Sequence, residues 1–336
     1  MKQTFVFDKA PYVAGAYSIV GPKEGLGPLG KYFSLVLEDD LWGEKTFEKC
    51  EIKMHREAIK GALDSAGMNQ HDLDAVIGAD LLNQIVAASF AARDIDAVFL
   101  GMYGACSSFG ESLAIAAFLL SGGFMKTVSC STSSHFSGAE RQYRFPLEYG
   151  NQRTPTSQWT VTGAGATLLT SVAPEGEGVK VKLTAATLGK VIDLGIDDES
   201  NMGAAMAPAA ADTLIKHFSE LERSPSYYDA IYTGDLGKYG TEILRYLTAR
   251  EGYNLPTCYS DCGAIIYGYE QKALQGGSGA GCSSSVFNGY LTSRLKNKEI
   301  KRLLLCPTGA LLSKDTPLQG ATIPGVAHAV VFEAED

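Results

Sequence analysis

A cysteine heads an apolar helix twice in this sequence. Gly104-Ala105-Cys106-Ser107-Ser108 opens a run that stays apolar to Leu120, and Gly281-Cys282-Ser283-Ser284 opens another that reaches Leu295. Unpaired amides and the helix dipole favour a thiolate at such a position. Cys106 therefore has the placement of an acyl-transfer nucleophile, and the competing reading is a small residue lining a pocket. Nucleophilic use calls for an imidazole close by to take up protons, and the chain has five histidines. His135 follows a Ser/Thr run directly before a polar, aromatic-rich excursion, and His328 lies on the last strand. Each can face a pocket or sit buried and hydrogen-bonded. His55, His71 and His217 fall on polar helical faces or in loops and are expected in solvent.

The elements that must position these residues repeat. Helix-like Glu51 to Ala66 leads to the strand Asp74 to Ala79 and then Asp80; Ala209 to Leu221 leads to Asp229 to Gly234 and then Asp235. Each Cys-headed helix is followed by a strand ending in cysteine, and the intervals Cys106 to Cys130 and Cys282 to Cys306 are both 24 residues. Agreement in type, order and spacing marks a duplication, with residues 1–174 as one half and 175–336 as the other. Each half closes on a Gly-containing strand, Val161 to Leu169 and Gly325 to Phe332. Strands alternating with helices predict α/β halves with mixed, mainly parallel sheets covered on both faces, stacked as α/β/α/β/α. Excursions from Ser133 to Trp159 and from Ser313 to Pro324 follow equivalent strands and are placed to shape a pocket.

Bulk properties remove several classes. With 29 basic against 38 acidic residues and no basic helix face, nucleic acid is excluded as a partner. The longest apolar stretch, Leu113 to Leu120, is too short to span a bilayer, and the polar start Met1-Lys2-Gln3-Thr4 lacks a signal-peptide core. The chain is thus expected to be made in the cytoplasm. Seven scattered cysteines read as thiols in a reducing compartment, Cys258 and Cys262 included. Gly25 to Gly30 with Lys31 imitates a phosphate loop, but Tyr32 replaces the hydroxyl residue, Pro28 removes an amide and no strand precedes it. Gly276 to Gly281 has no dinucleotide register.

The Cys106 motif, the strand Thr162-Gly163-Ala164-Gly165-Ala166 and the duplication resemble the thiolase-like superfamily of thiolases and condensing enzymes. Longer strings across the chain resemble one branch of it, the stage V sporulation protein AD family. They include Val20-Gly21-Pro22-Lys23-Glu24, Gly78-Ala79-Asp80-Leu81-Leu82-Asn83-Gln84, Ala139-Glu140-Arg141-Gln142, Gly189-Lys190-Val191-Ile192-Asp193-Leu194-Gly195 and Thr308-Gly309-Ala310-Leu311-Leu312-Ser313. That resemblance implies a non-catalytic, cofactor-free protein. Its ligand would be dipicolinic acid as the calcium chelate, bound in the old active-site cleft during movement into and out of the spore core. It also implies a peripheral place at the spore inner membrane beside membrane proteins of the same channel system. Superfamily analogy adds a homodimer paired through Ala97 to Leu100.

The same resemblance marks what is missing. Where ketoacyl synthases carry a histidine after the second-half strand, this chain has Gly234-Asp235-Leu236, and where they carry an asparagine it has Gly279-Ala280-Gly281. A carboxylate near Cys106 would raise the thiol pKa. A dicarboxylate ligand would want cations, and Arg141, Arg144 and Lys190 are the candidates; ion pairs with Glu140 or Glu148, or plain solvation, are their alternatives. Calcium would want oxygen donors, for which Asp80 and Asp235 are candidates, with helix capping as the alternative. The rival function is a ketoacyl synthase III-like acyltransferase that uses Cys106 as nucleophile, with His135 or His328 supplying the imidazole.

Overall fold

The computed structural model describes residues 2–143 and 153–335. In the first half the elements that matter are β1 (Tyr12–Val20), α1 (Phe47–Ser65), β2 (Ala75–Ala79), β3 (Val98–Gly101), α2 (Ser108–Ser121), β4 (Thr127–Ser134), α3 (Phe136–Tyr143) and β5 (Gly163–Thr170). In the second they are β6 (Lys180–Thr187), α4 (Met202–Leu221), β7 (Ala230–Thr233), β8 (Tyr259–Asp261), α5 (Ala280–Val286), β9 (Arg302–Cys306) and β10 (Ala329–Glu335). Helix α5 continues through a π-helical turn, Phe287–Leu291, into Thr292–Lys296.

The strand order β8-β7-β9-β10-β6-β1-β5-β4-β2-β3 reads the same from either end once the halves are superposed. In each half three strands pair in parallel and two antiparallel pairings follow, so four of the five strands point the same way. Strands β1 and β6 meet at one residue pair, Tyr12 with Lys182, and the N-terminal strand Thr4–Val6 adds three antiparallel pairs to β6.

Alternation along the strands shows the layering. Ile77, Leu169, Leu303, Leu305, Val330 and Phe332 share one apolar cluster with Phe109 and Leu113 of α2 and with Phe287 and Leu291 beyond α5. Their neighbours turn the other way. Val76 and Leu168 pack under Met54 and Ile59 of α1, and Leu304 and Val331 under Leu214 and Phe218 of α4. Because successive strand residues face opposite sides, each sheet is buried on both faces. The stack is helix, sheet, paired central helices, sheet, helix, as the repeat predicted.

The central helices come very close to the strands. A Cβ on Gly281 would lie 2.2 Å from the Gly163 carbonyl oxygen, backbone against backbone. Gly281→Ala is therefore expected to lower stability by about 3 kcal/mol in urea unfolding; an unchanged midpoint would mean that this contact can open freely.

Two expectations need correction. His55 and His217 are not solvated but are 1% and 0% exposed. His55 bridges Ser133 and Ser131 at 2.9 Å through its two ring nitrogens, and His217 bonds Thr187 at 2.7 Å and Tyr228. Their helices turn these polar residues onto strands that also carry hydroxyls, so burial is satisfied by hydrogen bonding. Helix α4 also begins seven residues before the expected Ala209, capped by the Asn201 side chain, and runs through Pro208.

Candidate functional site

Cys106 is set by a short turn whose geometry its neighbours dictate. Ala105 takes φ +50°, a left-handed conformation that costs a residue with a Cβ. The two serines that follow hold it. Ser107 Oγ donates to the Gly104 carbonyl at 2.7 Å, and Ser108 Oγ donates to the Ala105 carbonyl at 2.8 Å while accepting from the Gly104 amide at 2.9 Å. Ser107 and Ser108 are thus parts of the turn, and the thiol is left facing a narrow cavity of about 60 Å³.

Both halves wall this chamber. Leu81, Tyr103, Ala139, Glu140, Tyr143 and Thr160 come from the first, and Met202, Ser278, Gly279, Ala310 and Leu312 from the second. Gly279 sits at φ +117°, with a would-be Cβ 2.6 Å from Ser134 Oγ, so only glycine lets the chain pass.

Asp235 lies directly behind Ser278, Gly279 and Cys106. Its Oδ2 accepts from Ser278 Oγ at 2.9 Å and from the Gly279 amide at 3.1 Å, and its Oδ1 accepts from Thr308 Oγ1 at 2.8 Å. The Cys106 thiol meets Ser278 Oγ at 3.9 Å, and that hydroxyl in turn donates to the carboxylate. Burial lifts the Asp235 pKa from 3.8 to about 6, against the pull of these donors. Burial, and then the Asp235 charge, push the Cys106 pKa well above its ordinary value. Helix-terminus stabilisation is outweighed, and at neutral pH Cys106 is a thiol.

The remaining sequence candidates scatter. His135 is fully buried outside the chamber: its Nδ1 accepts from the Ser137 amide at 3.2 Å, which leaves Nε2–H to donate to the Asp40 carbonyl at 2.8 Å. His328 sits between the strand pieces Gly325–Ala327 and Ala329–Glu335, where its Nδ1 accepts from the Gly189 amide at 3.3 Å. Burial lowers its pKa to about 4, so it is neutral. Neither ring lines the chamber. Asp80 is a cap: its two oxygens accept from the Leu82 and Ala88 amides at 2.7 and 2.8 Å, tying it to the start of helix Val86–Arg93. Arg141 is half exposed, faces Glu48 at 4.0 Å and borders a separate surface hollow. Lys190 is exposed, and Arg144 and Glu148 fall outside the described residues. Among the described residues no lysine, arginine or histidine lines the chamber, and no group of three acidic, Cys or His side chains is arranged to hold a metal ion.

What sequence reasoning missed as wall residues are the tyrosines and Glu140. Tyr103 and Tyr143 hydroxyls meet at 2.9 Å, and Tyr143 also donates to the Leu81 carbonyl at 3.1 Å. Glu140 accepts from Thr160 Oγ1 at 3.0 Å and pairs with Arg153 at 3.4 Å, whose guanidinium lies 4.3 Å over the Trp159 ring. Glu140 lies in the string Ala139-Glu140-Arg141-Gln142, which does not give the phase of α3, and Tyr103 and Tyr143 fall one residue outside the motifs.

The sequence profile for stage V sporulation protein AD matches residues 1–333. The chain belongs to that family. It is 42% identical to the stage V sporulation protein AD of Bacillus subtilis (strain 168) over 332 residues, covering 99% of this chain and 97% of the relative. Solved structures share the fold at much lower identity. The 3-oxoacyl-[acyl-carrier-protein] synthase III of Aquifex aeolicus VF5 aligns with a TM-score of 0.55 at 15% identity, covering 96% of this chain and 99% of that one. A single-residue variant of OleA from Xanthomonas campestris aligns with a TM-score of 0.63 at 14% identity, covering 97% of this chain and 98% of that one. The stage V sporulation protein AD family thus has a thiolase-like fold, and the chain is a sporulation protein by family. No helix among the described residues is long and apolar enough to cross a membrane.

Proposed function

We propose that this family member is a non-catalytic carrier or receptor for dipicolinate, taken as its calcium chelate, in the traffic of that compound during sporulation and germination. The observation that carries the non-catalytic part is the burial of Cys106 beside Asp235, the two joined through Ser278 Oγ. A thiol held protonated against a carboxylate lacks the base that attack on an acyl group needs, and the described histidines lie elsewhere. The family resemblance supplies dipicolinate; the walls favour its chelate. Asp235 and Glu140 are the acidic groups at the chamber, and no cation lines it among the described residues. A free dianion would be repelled there, whereas a chelate brings its own compensating charge. The protein offers no metal cluster of its own among the described residues, so calcium would enter with the ligand.

Calorimetric titration with dipicolinate, with and without equimolar calcium, tests this reading. Saturable binding is expected only with calcium, and Arg141→Ala should leave it intact because that side chain points away from the chamber. Absence of binding in both conditions would overturn the reading. The strained Ala105 turn keeps the rival acyltransferase testable, since only that rival requires an acyl-thioester substrate to add covalent mass at Cys106.

Two further parts of the proposal concern assembly. Attachment at the spore inner membrane would come from channel proteins beside it. A homodimer would pair through β3, the edge strand, where Val98 is 55% exposed and Leu100 36% exposed.

A further inference from the structure

On the side of its tyrosines the Cys106 chamber adjoins a second, larger cavity of about 330 Å³, and the two share Leu81, Tyr103, Tyr143 and Leu312 as a common wall. Two hydrogen bonds hold the tyrosines within that wall: the phenol pair, Tyr103 to Tyr143, and the bond from Tyr143 to the Leu81 carbonyl. Tyr103 is 47% exposed on the outer side, whereas Tyr143 closes the end of α3. The far rim of the outer cavity is strained. Gln84 and Ile85 are consecutive left-handed residues at φ +58° and +48°, and Ile85 is β-branched. Such outliers persist where surrounding structure holds them and cluster at places that must move or clamp. The Ile85 side chain rests where a Cβ on Gly101 would be, 2.4 Å away, so the strained turn is packed directly on the strand that leads to Tyr103.

We propose that the outer cavity is a vestibule and that the Tyr103–Tyr143 pair is the door between it and the Cys106 chamber. Opening requires Tyr143 to leave both the Tyr103 hydroxyl and the Leu81 carbonyl, after which a flat aromatic ligand passes edge-on between Leu81 and Leu312. Two neutral hydrogen bonds make a door that opens by thermal motion and recloses without a chemical input. This rests on the ligand reading above for what passes, but the door itself is a property of access to Cys106.

The test reads that access. Cys106 is modified with methyl methanethiosulfonate at pH 8, and the rate is followed by mass spectrometry of the Cys106 peptide. Cys258, partly exposed and remote from the chamber, serves as internal reference. Tyr143→Phe, which deletes the bridging hydroxyl and keeps the ring, should speed Cys106 modification at least fivefold without changing Cys258. Tyr103→Phe, which leaves the Leu81 bond, should give a smaller increase. The association rate of calcium dipicolinate should rise in the same order. An unchanged or undetectable Cys106 rate in Tyr143→Phe, with Cys258 reacting normally, overturns the door whether or not dipicolinate binds. Faster modification without any ligand binding keeps the door and overturns the ligand reading instead.

Discussion

Replacing Asp235 with alanine will cost about 4 kcal/mol of folding stability near pH 4, and the loss will shrink as pH rises. Three donors converge on this carboxylate, Ser278, Gly279 and Thr308, and the Cys106 thiol meets the Ser278 hydroxyl at 3.9 Å. The hydroxyls can turn to other acceptors, but the Gly279 amide is fixed at a left-handed glycine and would be left buried and unsatisfied. The pH dependence follows from burial. Asp235 is 1% exposed, and its pKa in the folded chain is about 6 against an ordinary value of 3.8. A raised pKa means that the folded state binds this proton more tightly. Its contribution is therefore complete below pH 3.8, falls between 3.8 and 6, and is flat above. That fall amounts to about 3 kcal/mol on the usual conversion. Urea unfolding of wild type and Asp235→Ala at pH 4 and 7.5 should show the gap narrowing, and Asp235→Asn, which keeps an acceptor and cannot ionise, should be milder at pH 4. A gap that widens with pH would contradict a buried, proton-holding carboxylate.

The second large effect concerns the thiol. Asp235→His should raise the rate of Cys106 alkylation by iodoacetamide at pH 7.5 by about fiftyfold, because an imidazole there takes the thiol proton and stabilises the thiolate that a carboxylate opposes. Asp235→Asn is the control, since it removes the charge without supplying a base and should give only a few-fold rise. Site-resolved mass spectrometry separates Cys106 from the other six free cysteines. If the histidine variant reacts no faster than the asparagine variant, the carboxylate is not what silences this cysteine.

The duplication, the five-layer stack and the place of Cys106 were legible because they rest on periodicity and spacing, which survive in a linear string. The position of Asp235 was legible for the same reason, since it follows a strand whose repeat mate ends in Asp80, whereas the expectation of an imidazole there came from the resemblance to ketoacyl synthases alone. What the mates do was not legible, since one caps a helix and the other holds the chamber, a difference set by partners far away in sequence. Arg141 fails as a wall residue through helical phase. Adjacent residues on a helix lie about 100° apart, so when Glu140 turns inward Arg141 turns to solvent, and nothing in a polar excursion fixes that phase. His55 was misplaced because burial was judged from apolar neighbours. Here Ser131, Ser133 and Glu51 form a polar patch on the opposing surfaces, with Ser133 donating to Glu51 at 3.0 Å. Glu24, inside a quoted string, is likewise a buried tie, accepting from the Thr162 amide at 3.1 Å and from Tyr267, across the two halves.

The two Cys-headed turns have diverged around a single pair of residues. Cys106 meets Ser278 Oγ at 3.9 Å and lines the chamber, whereas Cys282, fully buried, donates to the carbonyl of the preceding Gly234 at 3.6 Å. On the ligand reading proposed above, the pseudo-twofold repeat would therefore supply one Cys-lined chamber, not two. Titration curves should then saturate at a stoichiometry of one per polypeptide, and any cooperativity would arise between chains; saturation at two would show that the second half binds as well.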